Sequence, residues 1–314
     1  MTRPSDATTA PGRERRAVVY LYTQTGQLRE VADALTAPLE ARGWSIRWVD
    51  VRPREAFPMP WPIRRFFGVF SHAVDPEALV DLVEPDGGFA STADELVILA
   101  YQVWYLAPSL PMRSLVKGHP ETVRGRDVVS LIACRNMWYS AAVEVSGLLR
   151  SAGARRVDVV TATDTRPSAE TLVTTLRWLL TGKREPFLWF GRAGVGDREL
   201  ARIAEVGQHI SELRTCPPDA APVTPALAVA DVLAGRVFRR TGKLVRAARD
   251  VGSVAHSATQ VGFVLGLICA IVFGLPLVAL AALLGGDWFT SAVEGFVRQR
   301  ISFGHHITGR VAFA

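Results

Sequence analysis

The chain has 314 residues, 49% hydrophobic and 21% charged, which supports a sizeable core and excludes disorder as its main state. Three scattered cysteines, Cys134, Cys216 and Cys269, exclude a disulfide scaffold and a cysteine-based zinc cluster; they suit a reducing compartment, and no metal site is expected. Of the net charge of +6, little belongs to residues 1–225, with 27 basic against 26 acidic side chains, and most to residues 226–314, with 9 against 4, so no nucleic-acid partner is expected for the main domain.

Residues 1–16 are polar, lack an apolar signal-peptide run and read as a disordered leader. Ala17–Tyr22 is a short β-branched apolar run, the pattern of a buried strand. After the turn TQTGQ, apolar residues at 28, 31, 32, 35 and 39 follow helical spacing, and Gly43 supplies a stop. Trp44–Val51 alternates as a second strand, completing a βαβ unit. Residues 52–93 form an insertion interrupted by Pro and Gly, rich in aromatics (Phe57, Trp61, Phe66, Phe67, Phe70) and expected to carry one short helix near Pro76–Val83. An insertion so long and apolar suits a cover over a ligand. Strands are expected at Glu95–Tyr101, Asp127–Ala133 and Arg156–Thr161, and helices at Val143–Ala152, Ala169–Thr181 and Asp197–Leu213. Five solid apolar strands alternating with helices predict a doubly wound parallel α/β sheet over residues 17–214.

Residues 215–225 are Pro-rich and read as a linker. Residues 226–250 carry Arg236, Arg239, Arg240, Lys243, Arg246 and Arg249 among apolar positions, a basic amphipathic helix. Val261–Leu284 then runs 24 residues without a charge, inside an apolar stretch of 257–286. As one helix it would reach roughly 36 Å, so the sequence predicts a C-terminal transmembrane or membrane-embedded helix. The excess of basic residues before it predicts a membrane-anchored protein with its main domain cytoplasmic.

Three segments carry the candidate chemistry. Thr23, Gln24, Thr25, Gly26 and Gln27 lie between the first strand and its helix, where hydroxyls, backbone N–H groups and a helix N-terminus suit a phosphate; a simple Thr25 capping turn is the alternative. Tyr101, Gln102, Trp104 and Tyr105 follow the third parallel strand, at the sheet edge where open α/β folds bind ligands. Trp104 and Tyr105 are candidates to stack on a flat ring, and a core aromatic cluster is the alternative. Cys134, Arg135 and Asn136 end the fourth strand and offer donors for a polar ring edge, with Cys134 read as an inert buried thiol rather than a nucleophile.

The string YTQTGQ resembles the phosphate loop of the flavodoxin-like family, roughly T/S-x-T-G-N/Q-T/S; Thr23, Thr25, Gly26 and Gln27 match, and Leu28 stands where the family has a hydroxyl. With YQVWYLAPSLP and CRNMW, the chain further resembles the dialkylresorcinol condensing enzyme or aromatase group of dialkylresorcinol (aryl polyene-type) biosynthesis. The resemblance implies a five-stranded flavodoxin-like sheet and FMN as cofactor. It implies an aromatase that dehydrogenates a cyclohexanedione ring made by a partner ketosynthase, with an acyl carrier protein as a further partner and a lipid-like substrate met at the membrane. No catalytic base stands out, with Tyr139 and His72 the nearest candidates. The alternatives are another flavodoxin-like quinone reductase or electron carrier, and a flavin-free docking module.

Overall fold

A computed structural model describes residues 15–252, 255, 258–259, 261–263, 265–266 and 274–304. The elements run β1 (Arg16–Leu21), α1 (Gln27–Glu40), β2 (Ser45–Asp50), β3 (Arg52–Pro53), α2 (Ile63–Gly68), α3 (Phe70–Ala73) and β4 (Leu82–Val83). They continue through β5 (Glu95–Trp104), β6 (Ala107–Pro108), α4 (Leu110–Gly118), β7 (Asp127–Cys134), α5 (Tyr139–Ser151), β8 (Arg156–Thr163) and α6 (Ser168–Thr181). Then come α7 (Asp197–Leu213), α8 (Pro225–Val251) and a helix at Leu275–Ile301, α9.

The main sheet is parallel in the order β2-β1-β5-β7-β8. Counting only these five strands, that is the 2-1-3-4-5 order of the flavodoxin-like fold, whose ligand crevice opens at the carboxyl ends of its central strands. Strand alternation divides the apolar side chains between two cores. Ala17, Val19 and Leu21 face α1 and α7, against Leu28, Val31, Leu35, Ile203 and Ile210. Val18 and Tyr20 face α4 and α5, against Met112, Leu115, Val145 and Leu149. The helices α1 and α7 approach closely because Gly207 has no side chain: a Cβ there would lie 2.1 Å from the Leu35 carbonyl oxygen.

The insertion folds differently from its pattern. Pro76–Val83 forms no helix: the Asp75 carboxylate accepts the Glu77 N–H, Val80 N–H donates to Ser114 Oγ, and β4 pairs antiparallel with β3. The helical turns lie earlier, at α2 and α3. Arg113 of α4 anchors them: its guanidinium is fully buried, donates to the Ala73 carbonyl at 2.7 Å and pairs with Glu144 at 2.7 Å.

The segment before α8 runs along the outer edge of β8, where Thr161 N–H donates to the Ala220 carbonyl and Cys216 N–H to the Asp158 carboxylate. Helix α8 then lies on α5 and α3 through Ala228, Asp231, Gly235, Phe238, Gly242 and Val245, a spacing of three and four residues that keeps one face inward. Its small residues allow this, since a Cβ on Gly235 or Gly242 would strike Ser140 or Val74. Asp231 is fully buried and accepts the Tyr139 and Ser140 N–H groups at 3.0 and 2.9 Å, capping the start of α5 from another helix.

The predicted membrane-spanning helix requires correction. Among the described residues, no helix is long and apolar enough to cross a membrane. Val264 and 267–273 of the apolar run lie outside the described residues, as does Cys269. Residues 261–263 and 265–266 of the run are helical, with Phe263 stacked on Phe70 at 4.0 Å, and residues 275–284 open α9, which continues past the run through Asp287, Glu294, Arg298 and Arg300, with non-helical backbone at Gly286. The far end of α9 turns into the domain: Val297 and Ile301 are buried beside Val157, and Phe303 bridges Val157 with hydrogen bonds of 3.0 and 3.2 Å.

Candidate functional site

The turn after β1 is shaped by Gly26, at φ +80° in the left-handed region where a side chain is strained. Thr23 Oγ1 accepts the Gly26 N–H at 3.1 Å, and Thr25 Oγ1 accepts the Gln27 N–H at 3.4 Å. Each hydroxyl therefore uses a lone pair to hold the turn and keeps its own O–H to donate outward. The helix cap is Gly26 rather than Thr25, and Arg29 and Glu30 N–H close on the Gly26 carbonyl. Gln24 reaches across to the insertion, with Nε2 donating to the Pro58 carbonyl at 3.4 Å. The Gln27 side chain is buried beneath Gly194, whose absent Cβ would lie 2.1 Å from Gln27 Oε1. Leu28, which departs from the phosphate-loop pattern, is fully buried with Val31 and Leu35 against the sheet. It neither contributes to the turn nor obstructs it.

The second segment ends β5. The chain turns at Tyr105 and Leu106, φ 50° and 64°, and returns as β6. Strand alternation sends its residues to different places. Tyr101 is fully buried and its hydroxyl oxygen accepts the Ser130 Oγ–H at 3.3 Å; burial raises its pKa. Trp104 sits among aromatics of the insertion and of the turn after β1, edge-to-face with Phe57 at 4.8 Å, Trp61 at 5.8 Å and Tyr22 at 5.9 Å. Tyr105 points elsewhere: its ring packs on Phe66 and Phe70, and its hydroxyl donates to the Phe66 carbonyl at 2.5 Å. Burial raises that phenol's pKa as well. Both stacking candidates thus sit in aromatic clusters, the alternative left open by the sequence: Trp104 on the Phe57, Trp61 and Tyr22 rings beside the end of β1, and Tyr105 on Phe66 and Phe70, where it fastens the insertion. Gln102 Oε1 is buried without a hydrogen-bond partner among the described residues.

The third segment follows β7, beside the second because Gln102 pairs with Ala133. Burial raises the Cys134 thiol pKa, with Asp231 adding to the shift, so it is held protonated and is a poor nucleophile. Arg135 Nη1 donates to the Ser168 carbonyl at 3.0 Å, and burial lowers its pKa. Asn136 Nδ2 donates to Ser168 Oγ at 2.8 Å, while its Oδ1 is buried without a partner among the described residues. Buried polar atoms normally find a partner, so orphaned amide oxygens on neighbouring strand ends suit an external N–H donor. Tyr139 is buried, with its hydroxyl accepting the Thr224 N–H at 2.9 Å and its pKa raised by burial; a phenol so placed is a poor base. His72 lies on the exposed side of α3. Among the described residues no group of three or more metal-ligating side chains comes together.

Two further features frame the rim. The insertion is tied to α6 through Trp61, whose backbone N–H donates to the Leu179 carbonyl at 2.7 Å, and packs Phe57 on Trp104. The loop 182–196 packs over α1, where Arg184 pairs with Glu30 at 2.6 Å and Gly194 covers Gln27. The insertion's aromatic content signalled the first; nothing local signalled the second.

No family model and no curated protein matches this chain. It is similar in structure to a flavodoxin from the domain Archaea, at 14% identity, covering 63% of this chain and 96% of that one, with a TM-score of 0.31. So low a TM-score carries no weight, and the fold rests on the strand order.

Proposed function

We propose that the crevice binds FMN and that the chain acts as a flavin-dependent oxidoreductase. The observation that carries this reading is the coincidence of two partial sites at one sheet edge. A glycine-cornered turn presents hydroxyls and a helix N-terminus, and at the ends of the next two strands of the sheet Gln102 and Asn136 hold orphaned buried oxygens. The donors of the turn suit a phosphate, and the orphaned acceptors suit the N–H edge of a flat heterocycle. These residues fit the group. A bound flavin would supply a two-electron acceptor for hydride transfer.

In this reading the Thr23 and Thr25 hydroxyls and the backbone N–H groups of Gln24 and Thr25 hold the phosphate, while the Gly26 N–H stays on Thr23 Oγ1. Gln102 and Asn136 orient the ring through its polar edge, with Ser168 fixing the Asn136 amide. Trp104, Phe57 and Trp61 exclude water from the face beside them, and the ion pair of Arg113 with Glu144 keeps the insertion seated. The finer reading is an aromatase that oxidises a cyclohexanedione carrying alkyl chains, made by a ketosynthase, to a resorcinol. It is supported by the aromatic lining of the mouth, which suits an apolar substrate, and by the sequence resemblance.

The purified protein is expected to show the visible absorbance of bound flavin, or to acquire it when loaded with FMN, and the bound flavin is expected to be reduced by an alkylated cyclohexanedione under anaerobic conditions. Reduction by a nicotinamide and reoxidation by a quinone, with no response to the dione, would replace the aromatase reading with that of a quinone reductase. A protein that cannot be loaded overturns both.

A further inference from the structure

We propose that a groove between α5, α8 and α9, separate from the flavin crevice, binds an anionic amphiphile of the alkyl phosphate class. Two adjoining depressions of about 290 and 250 Å³ share Pro76, Arg236 and Arg239, and so form one channel. Each is near the lower end of the size range of small-molecule sites. Five cationic side chains line it: Arg236, Arg239, Arg240, Lys243 and Arg300.

The charge balance around the groove is one-sided. The acidic groups near it are already committed: Glu144 to Arg113, Asp75 to Arg246, Glu77 to Lys117, and Asp231, whose charge acts on Arg239, to the Tyr139 and Ser140 N–H groups. Among the described residues, Arg236, Arg240 and Lys243 form no ion pair. Converging cations without counter-charge suit a phosphate, which arginine meets with paired donors. They sit on successive turns of α8, so the rigid helix holds them on one side.

Simple inorganic phosphate would leave the other wall unused. Val143, Val232 and Phe296 line the wider end, and Arg300 lies over the Phe296 ring at 4.8 Å. An apolar wall beside a cationic one calls for a ligand with both characters. The alkyl chain would lie along Val143, Val232 and Phe296, with its head group among the α8 cations.

Calorimetric titration of the full chain at low salt tests this, with decyl phosphate and inorganic phosphate as probes. Decyl phosphate is expected to bind saturably, one per chain, at least about tenfold tighter than phosphate, because the chain buries several methylenes. The double variant R236Q/K243Q is expected to weaken both probes at least about tenfold, since charge is lost at the head-group end. Both replaced residues are exposed and without an ion pair, so an unchanged melting temperature verifies folding. The F296S variant is expected to reduce the advantage of decyl phosphate and leave phosphate binding unaltered. Phosphatidic acid vesicles separate the sources: comparable binding of dissolved probe and vesicles means a head group is taken from either. Binding to vesicles alone, equal affinities for the two probes, affinity indifferent to R236Q/K243Q, or no saturable binding overturns the proposal.

Discussion

Asp231 offers a sharp test of how α8 is joined to the domain. Its carboxylate is fully buried and caps α5 by accepting two backbone N–H groups. Burial raises its pKa from 3.8 to about 6, against the hydrogen bonds from Tyr139 and Ser140 and the charge of Arg239, which pull it down. Between those two values the folded protein binds a proton that the unfolded chain has released. Stability therefore falls as the pH rises through this window, and the contribution is fully present only below the unfolded value. Roughly two pH units at about 1.4 kcal/mol each give about 3 kcal/mol. Asp231→Asn keeps one acceptor oxygen and removes the titration, at a cost of about 1 kcal/mol for the weaker cap. Urea denaturation of both proteins from about pH 4 to about pH 8 is the assay. The difference between them isolates Asp231 from other carboxylates, such as Glu30 and Asp127, whose pKa values are lowered. The wild type is expected to lose about 3 kcal/mol relative to Asp231→Asn as the pH rises through the window, so that the variant is the more stable near neutrality. Parallel pH profiles would refute the burial argument.

Three further substitutions probe the scaffold around the crevice. Glu144→Gln leaves the fully buried Arg113 without its counter-charge and is expected to destabilise by about 3 kcal/mol in chemical denaturation; a loss below about 1 kcal/mol would mean the pair does not hold the insertion. Gly207→Ala drives a methyl group into the Leu35 carbonyl and is expected to cost about 1–3 kcal/mol by forcing α7 from α1, with an unchanged melting temperature counting against so close a contact. Leu28→Thr restores the hydroxyl of the phosphate-loop pattern, yet that side chain faces the core, so FMN affinity is expected to stay the same while stability drops by about 2 kcal/mol; a gain in affinity would place residue 28 in the turn.

The α/β framework was legible because four of the parallel strands are solid apolar runs, the edge strand β2 alternates, and the packed helices have regular inward faces, so local pattern and tertiary burial coincide. The site was legible only as segments. Gly26 and the two threonines announce their turn, but which aromatic cluster Trp104 or Tyr105 joins depends on the turn at residues 105–106, which separates them. The insertion misled because Pro76 and the residues after it imitate a helix start, while the Asp75 side chain and Ser114, distant in sequence, hold that stretch extended. The apolar run of the tail misled for a related reason. Hydropathy takes no account of Gly286 or of the docking of Val297 and Ile301 beside β8. The Asp231 cap joins α5 to a helix some ninety residues later, beyond the reach of any local signal.

The central claim is that the Thr23–Gln27 turn holds a flavin phosphate, and comparing FMN with riboflavin tests it most directly. The two share the ring that Gln102 and Asn136 would orient and differ by the phosphate alone. Titration of the flavin-free protein is expected to give FMN about a hundredfold tighter than riboflavin, since two charge-assisted hydrogen bonds at about 1.5 kcal/mol each supply about 3 kcal/mol. Gly26→Val, which the left-handed backbone at that position disfavours, is expected to abolish the difference. Equal affinities for FMN and riboflavin, or no binding of either, would contradict the account.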